Sequence, residues 1–299
     1  MATLINVCGA ARSGTTMLDL MLGNAPDAFS CGEVYAWFRP WQRHHFRIGC
    51  RCDQDPCPIW EKIKNVPEHR FHATVFKELG VNFVIDSSKE VCWLINSQEW
   101  AVANGIKVFN LLLWKNPINQ AYSYWKRGWG LTSWYHDFLG YYGKFFETGL
   151  PFRSVYFKDL VSHPQHKLAE ICAAVGMPYF DGKERFWEKQ HHHLFGSHSV
   201  YKQVAGKQMA GEDSTIRASE TFPPEFEAHA DALSRQIAGD PKIQQILATL
   251  QQAEISSSSG FSAKDLEYLA RKPYPLWYYA KKVRQVIRRY FPKRDNFTE

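Results

Sequence analysis

Apolar residues in this chain fall into short blocks separated by longer stretches of mixed pattern. Thr3–Cys8 (TLINVC), Val81–Ile85 (VNFVI) and Lys107–Trp114 (KVFNLLLW) are apolar runs of strand length, and a fourth lies near 152–157. Such runs have no polar side, so each predicts a strand covered on both faces. Between them, apolar positions recur at helical spacing, as in Thr16–Leu22 and His166–Val175. Parallel strands need a crossover long enough to hold a helix, and this alternation supplies one each time. The expected architecture is a three-layer α/β domain over residues 1–255 with a mainly parallel central sheet. Its strands are expected near 3–8, 81–86, 107–114 and 152–157. Residues 34–80 are expected to form an excursion beside the sheet. Ile255-Ser-Ser-Ser-Ser-Gly260 reads as a linker. Beyond it, Leu276, Tyr279, Val283, Val286, Ile287 and Tyr290 recur at helical spacing, with Lys281, Lys282, Arg284, Arg288 and Arg289 between them. Residues 256–299 are therefore expected to be a linker and a basic amphipathic helical extension. That helix is expected to dock on the domain, and the same pattern suits peripheral contact with an anionic membrane surface.

The first strand-to-helix turn, Gly9-Ala-Ala-Arg-Ser-Gly-Thr-Thr16, carries the most chemical information. A glycine-bearing turn at a helix N-terminus leaves backbone N–H groups unpaired at the positive end of the helix dipole, which makes an anion site. The nearest general pattern is the phosphate loop Gly-x-x-x-x-Gly-Lys-Ser/Thr, which implies a P-loop NTPase-like fold. Gly9, Gly14 and Thr16 fit it, but Thr15 stands where the lysine belongs. That lysine reaches the outer phosphates of a nucleoside triphosphate, so its absence counts against a kinase or NTPase. The positive charge here is Arg12, inside the loop.

Arg12-Ser13-Gly14-Thr15-Thr16 after a first strand resembles the 5′-phosphosulfate loop of sulfotransferases, in particular the bacterial type. These enzymes use 3′-phosphoadenosine 5′-phosphosulfate (PAPS) and leave 3′-phosphoadenosine 5′-phosphate (PAP). A second patch follows the run at 107–114: Lys115-Asn116-Pro117 and then Ser123. In the family, a strand ends in Arg-Asp-Pro or a similar triplet and a serine follows eight residues after the arginine. Those two residues hold the 3′-phosphate. Lys115 stands for the arginine, Asn116 for the aspartate, and Ser123 is in register. A lysine holds phosphate as a point charge rather than a bidentate fork. Asp86-Ser87-Ser88-Lys89 ends the run at 81–85, where many relatives have a lysine that supports the transferring group. Val155-Tyr156-Phe157-Lys158-Asp159-Leu160 resembles the family's Tyr-Glu-Asp-Leu segment and carries no assigned chemistry. The resemblance covers roughly residues 3 to 200.

Sulfuryl transfer needs charge neutralisation on the leaving phosphate, an acceptor held opposite it, and a base for the acceptor's proton. Arg12, the amides of 13–16, Ser88 and Lys89 suit the first task. Glu33, in Ser30-Cys-Gly-Glu-Val-Tyr35, matches a Gly-Glu that supplies the base in related branches. The alternative base is a histidine, with His136, His191, His192 and His193 as candidates. His191 to His198 resembles a stretch that closes over the nucleotide in relatives, and Tyr201 and Lys202 are the nearest substitutes for an arginine that follows it there. No acidic cluster is placed to hold Mg2+, and none is required by the chemistry.

The chain has 299 residues, 45% hydrophobic, with a formal net charge of +6. This balance suits a polyanionic cofactor but is too small to imply nucleic acid, and no nucleic-acid-reading motif is present. No run of about eighteen apolar residues predicts a spanning helix, and no signal peptide is read, so a cytoplasmic location is expected. Seven cysteines, an odd number, accord with a reducing compartment. Cys50, Cys52 and Cys57, with His44 and His45 just before, lack the spacing of a paired zinc knuckle. They read as a free-thiol loop, with a metal or a disulfide as alternatives. The aromatic run Trp125–Phe146 is expected to be mostly core. The composite expectation is a PAPS-dependent sulfotransferase acting on a hydroxyl or amine of a small-molecule acceptor. The rivals are a P-loop kinase or NTPase and a non-catalytic nucleotide-binding protein.

Overall fold

The computed structural model describes residues 1–40, 42–47, 49–50, 52, 54–201, 221–257, 259–262, 265 and 274–290. Lys202, and the side chains of Val286, Arg288, Arg289 and Tyr290 from the tail pattern, lie outside the described residues. A five-stranded sheet forms the centre, in the order β2-β3-β1-β4-β5, with every pair parallel. The strands are β1 (Thr3–Cys8), β2 (Ala28–Gly32), β3 (Phe83–Asp86), β4 (Lys107–Trp114) and β5 (Arg153–Tyr156). Ile5 lies opposite both Ile85 and Phe109, so β1 is flanked on each side. Successive residues of β1 feed different cores. Ile5 and Val7 pack with Leu18, Leu111 and Ile171, whereas Leu4 packs with Val84, Trp60 and Phe71 on the other face. This two-residue alternation, with both faces covered, is what the all-apolar runs demand.

The helices nearest the sheet are α1 (Thr15–Gly23), α2 (Val34–Phe38), α3 (Pro58–Ile63), α4 (Phe71–Leu79), α5 (Val91–Ala103), α6 (Pro117–Trp125), α7 (Leu131–Glu147), α8 (Phe157–Ser162) and α9 (Pro164–Val175). Trp134, Phe138, Tyr142 and Phe145 of α7 are buried, so this part of the aromatic run is core. One strand, β2, has no counterpart in the apolar pattern. It is five residues at the sheet edge and includes Ser30, whose hydroxyl is buried between Asp19 Oδ1 at 2.5 Å and His193 Nδ1 at 2.6 Å. A polar residue satisfied this way lies inside the fold but breaks the hydrophobic run. β3 begins at Phe83 rather than Val81, because the amides of Asn82 and Phe83 turn to Asp27 O.

The serine-rich stretch expected as a linker is fastened to the domain. Ile255 is fully buried and its N–H donates to Ser154 O at 3.0 Å, extending the edge at β5. Ser257 donates through N and Oγ to Glu170. The tail helix, Leu276–Tyr290, docks as expected. Tyr278 is 1% exposed and donates to Asn96 Oδ1, Trp277 donates to Glu147, and Lys281 pairs with Glu90. Leu276, Tyr279, Val283 and Ile287 stay exposed. No helix among the described residues is long and apolar enough to cross a membrane. Tyr278→Ala is expected to cost about 3 kcal/mol in urea unfolding, as for other buried aromatics. Val283→Ala is expected to change stability by less than about 0.5 kcal/mol. Equal effects would show that the helix is not seated through Tyr278.

Candidate anion and transfer site

The chain leaves β1 toward β2 on one side and leaves β4 toward β5 on the other. A crevice opens at the carboxyl ends of the strands where connections diverge like this. The turn after β1 and Lys115 after β4 both enter it. Arg12 has φ 70° and Gly14, the N-cap of α1, has φ 105°. A side chain on Gly14 would run into the Phe157 ring, so this corner is closed to anything but glycine. No side chain caps α1, and Met17 N is the first amide to close onto Gly14 O. The N-terminus of α1 therefore faces the cleft open. Gln120 Nε2 holds the loop by donating to Ala11 O at 2.6 Å, and Gly9 N donates to the Tyr141 hydroxyl at 2.8 Å.

Four cations meet here. Arg12 donates through Nη1 to Ser197 Oγ and through Nη2 to Ser199 Oγ, each at 3.2 Å. Lys115 Nζ lies 4.0 Å from the centre of the Phe157 ring. Burial, then the nearby charge of Arg127, brings the Arg12 pKa down to about 10. Burial, then Arg12, Lys126 and Arg127, brings Lys115 down to about 7. Lys126 is lowered by burial and by the same two arginines. None of Arg12, Lys115, Lys126 and Arg127 forms an ion pair among the described residues. Arg12 Nε and Ser13 Oγ are buried without a hydrogen-bond partner among them as well. Burial that depresses cation pKa values, with like charges adding to it, marks a place that gains from an anion.

Glu33 and Lys89 line the same cleft and form an ion pair with both side chains about a quarter exposed. Gly32, at φ 75°, packs against the Leu194 backbone so closely that a Cβ would collide with it. Glu33 N donates to Leu194 O at 3.0 Å, fixing the turn that presents the carboxylate. Ser88 accepts from Tyr35 N at 2.9 Å, and its own amide donates to buried Asp86. Asp86 is held in turn by His72 at 2.9 Å and Trp93 at 2.8 Å.

Arg12, Gly14, Thr15, Thr16, Glu33, Ser88, Lys89, Lys115 and Ser123 all line one cleft of about 2480 Å3. Ser13 does not: its side chain is fully buried behind the loop and its N–H turns to Ala10 O. Ser123 Oγ donates to Asn119 O, one helical turn back. Of the four histidines weighed as bases, only His136 lines the cleft. His191 bonds Phe186 O, and burial holds its pKa near 4. His193 is fully buried beside Ser30 and Asp19, and His192 turns toward cysteines. Ser197 N donates to Thr16 Oγ1 at 3.2 Å, so the 194–199 segment lies across the loop. Tyr201 bonds the Phe195 carbonyl of its own turn. Phe157, Lys126, Arg127 and Ser199 were given no role from the sequence, whereas Ser197 lies in the stretch expected to close over the nucleotide. Arg127 lies one turn beyond Ser123 on the same chain segment, a signal that spacing could have supplied. Ser199 is remote in sequence and gave none. The excursion contributes Tyr35, Phe38, Arg39 and Glu68 to the far end of the cleft, and the tail helix contributes Trp277 and Arg284.

The sulfotransferase domain of the curacin biosynthetic pathway superposes with a TM-score of 0.50, covering 86% of this chain and 99% of that domain at 14% identity. The chain has the sulfotransferase fold. A sulfotransferase from Alicyclobacillus acidocaldarius matches with a TM-score of 0.45 at 14% identity, over 84% of this chain and 96% of its own. The sulfotransferase domain of the Synechococcus PCC 7002 olefin synthase gives 0.44 at 16%, over 80% and 95%. No family model and no curated protein matches the sequence.

On this sulfotransferase fold, Lys115 makes a direct test of the cation cluster. The unfolded chain binds the Lys115 proton at the ordinary value of 10.5, and the folded chain releases it near 7. Stability therefore rises with pH between those values, because burying the charged Lys115 costs its full amount below about 7 and nothing above 10.5. NMR of 13C-methylated lysines is expected to show one amine titrating near 7, absent in Lys115→Arg. A spectrum with every lysine titrating above 9 would contradict the cluster.

Proposed function

We propose that the protein moves the sulfuryl group of PAPS to a hydroxyl or amine of a small-molecule acceptor. The observation that carries this reading is the set of cations around the turn that form no ion pair among the described residues, with the Glu33–Lys89 pair lining the same cleft. The buried Arg12 Nε, without a hydrogen-bond partner among the described residues, also suits an anion at the loop. Two separated basic positions suit a nucleotide with two separated phosphates. Arg12 and the amides of Thr15 and Thr16 would hold the 5′ end, and Lys115 with Ser123 the 3′-phosphate. When bound, PAPS supplies an activated sulfuryl group on its 5′-phosphate.

The chain's own residues then do the rest. Arg12 and the α1 N-terminus take up negative charge on the leaving phosphate. Lys89 holds the Glu33 carboxylate in place, and Ser88 braces the turn beside it through Tyr35 N. Glu33 accepts the proton of the acceptor hydroxyl or amine. The excursion and the tail helix exclude water from the acceptor end. Each carboxylate lining the cleft already has a partner: Glu33 with Lys89, Glu68 with Arg39, Glu90 with Lys281, and Asp137 with the Tyr124 hydroxyl. This donor set leaves little for Mg2+, so the reading requires no metal for transfer. The seven free thiols support a cytoplasmic setting.

Calorimetric titration is expected to show PAP binding without Mg2+, lost or weakened at least tenfold in Arg12→Ala. Glu33→Gln is expected to keep PAP affinity and to lower turnover about 10²- to 10⁴-fold. Preference for Mg-ATP would sink the reading in favour of a kinase or NTPase. Near-normal turnover in Glu33→Gln would move the base to His136.

A further inference from the structure

Cys50, Cys52 and Cys57 come from one loop of the excursion, and His192 arrives from 135 residues beyond the last of them. Their four ligand-capable atoms all lie within 4.8 Å of one another. Cys57 Sγ is 3.2 Å from His192 Nδ1, and Cys50 Sγ is 3.9 Å from the same nitrogen. A tetrahedral zinc ion with bonds of about 2.3 Å to sulfur and about 2.0 Å to nitrogen would set sulfur–nitrogen edges of about 3.6 Å. The two observed separations bracket that edge. The Cys52 amide donates to Cys50 Sγ at 3.5 Å, the kind of hydrogen bond that supports a thiolate.

The surroundings are built to hold this convergence. Cys57 is 4% exposed and caps the start of α3. Trp60, fully buried on that helix, donates through Nε1 to His192 O at 2.6 Å and so places the histidine backbone. Cys50 bridges to Leu194. None of the cysteines is in a disulfide.

We infer that Cys50, Cys52, Cys57 and His192 bind one zinc ion as a closed structural site. Three soft thiolates and one imidazole select zinc over hard cations, and four protein ligands leave no position for a reacting water. Binding releases the three thiol protons to solvent and needs no redox partner. The ion's role is positional. From His192 the chain runs directly into Leu194, which clamps Gly32 and Glu33, and then into Ser197, which bonds Thr16 and Arg12. One ion thereby fixes the excursion, the Glu33 turn and the segment across the anion loop to one another. The site itself stands on its own residues and does not depend on the transfer reading.

Elemental analysis of the full-length chain, purified from zinc-replete cells, is the test. About one zinc per chain is expected, retained in Cys172→Ser and lost in Cys57→Ser and His192→Ala. Where those variants fail to fold, cobalt(II) in the wild-type chain takes their place. It is expected to give the ligand-field and thiolate charge-transfer bands of a tetrahedral site. A folded wild-type chain without zinc, with no such cobalt bands, overturns the inference, as does a Cys50–Cys57 or Cys52–Cys57 disulfide found by mass spectrometry. Chelation is expected to raise hydrogen exchange at least tenfold in 192–199 and leave β1 and β4 protected. Unchanged exchange in 192–199 would overturn the positional role.

Discussion

The burial of several cations together at the carboxyl ends of β1 and β4 governs the site. Arg12, Lys115, Lys126 and Arg127 line one cleft and form no ion pair among the described residues, and burial first, then the charges of Arg12, Lys126 and Arg127, brings the Lys115 pKa down to about 7. A helix N-terminus alone contributes about 0.3–1 kcal/mol to an anion. Charge-assisted hydrogen bonds from buried cations contribute roughly twice what neutral ones do. The cations are therefore the larger part of any affinity, and the open end of α1 mainly directs where the anion sits. Much of the surrounding structure keeps these charges in place against one another. The Phe157 ring lies under Lys115, Gln120 holds the loop carbonyl, and two serines hold the Arg12 guanidinium.

Most of the sheet was legible because its strands are buried on both faces, which forces a mostly apolar run, broken inside β1 and β4 by Asn6 and Asn110, which bond each other. β4 matches its expected span residue for residue, and β1 likewise. β2 was not legible, since Ser30 at its centre satisfies its hydroxyl inside the fold against Asp19 and His193. Burial there was achieved by hydrogen bonding, which leaves no mark in a hydrophobicity pattern. The serine linker misled for a related reason. Its composition signals freedom, but Ser257 and Ile255 are held by partners far away in sequence.

At the site, the local motifs were readable and the long-range ones were not. Gly9 to Thr16 and Lys115 to Ser123 each lie on one turn and its helix, so their residues reach the cleft by local geometry. Glu33 and Lys89 were each placed at the site by resemblance, but their pairing was not, and it takes β2 and β3 lying side by side to bring the two together. Ser197 and Ser199 on Arg12, and His192 on the cysteines, depend on one extended segment returning across the domain. That segment touches the excursion, the end of β2 and the start of α1 within a few residues, and so couples the excursion to the anion loop.

The most direct test is the affinity difference between PAP and adenosine 5′-phosphate, measured in the same buffer on the wild-type chain and on Lys115→Met. The account predicts that removing the 3′-phosphate weakens wild-type binding about a hundredfold and that Lys115→Met erases most of that difference. Equal affinities for the two nucleotides would mean that the cation cluster does not read a second phosphate, and would contradict the account at its centre.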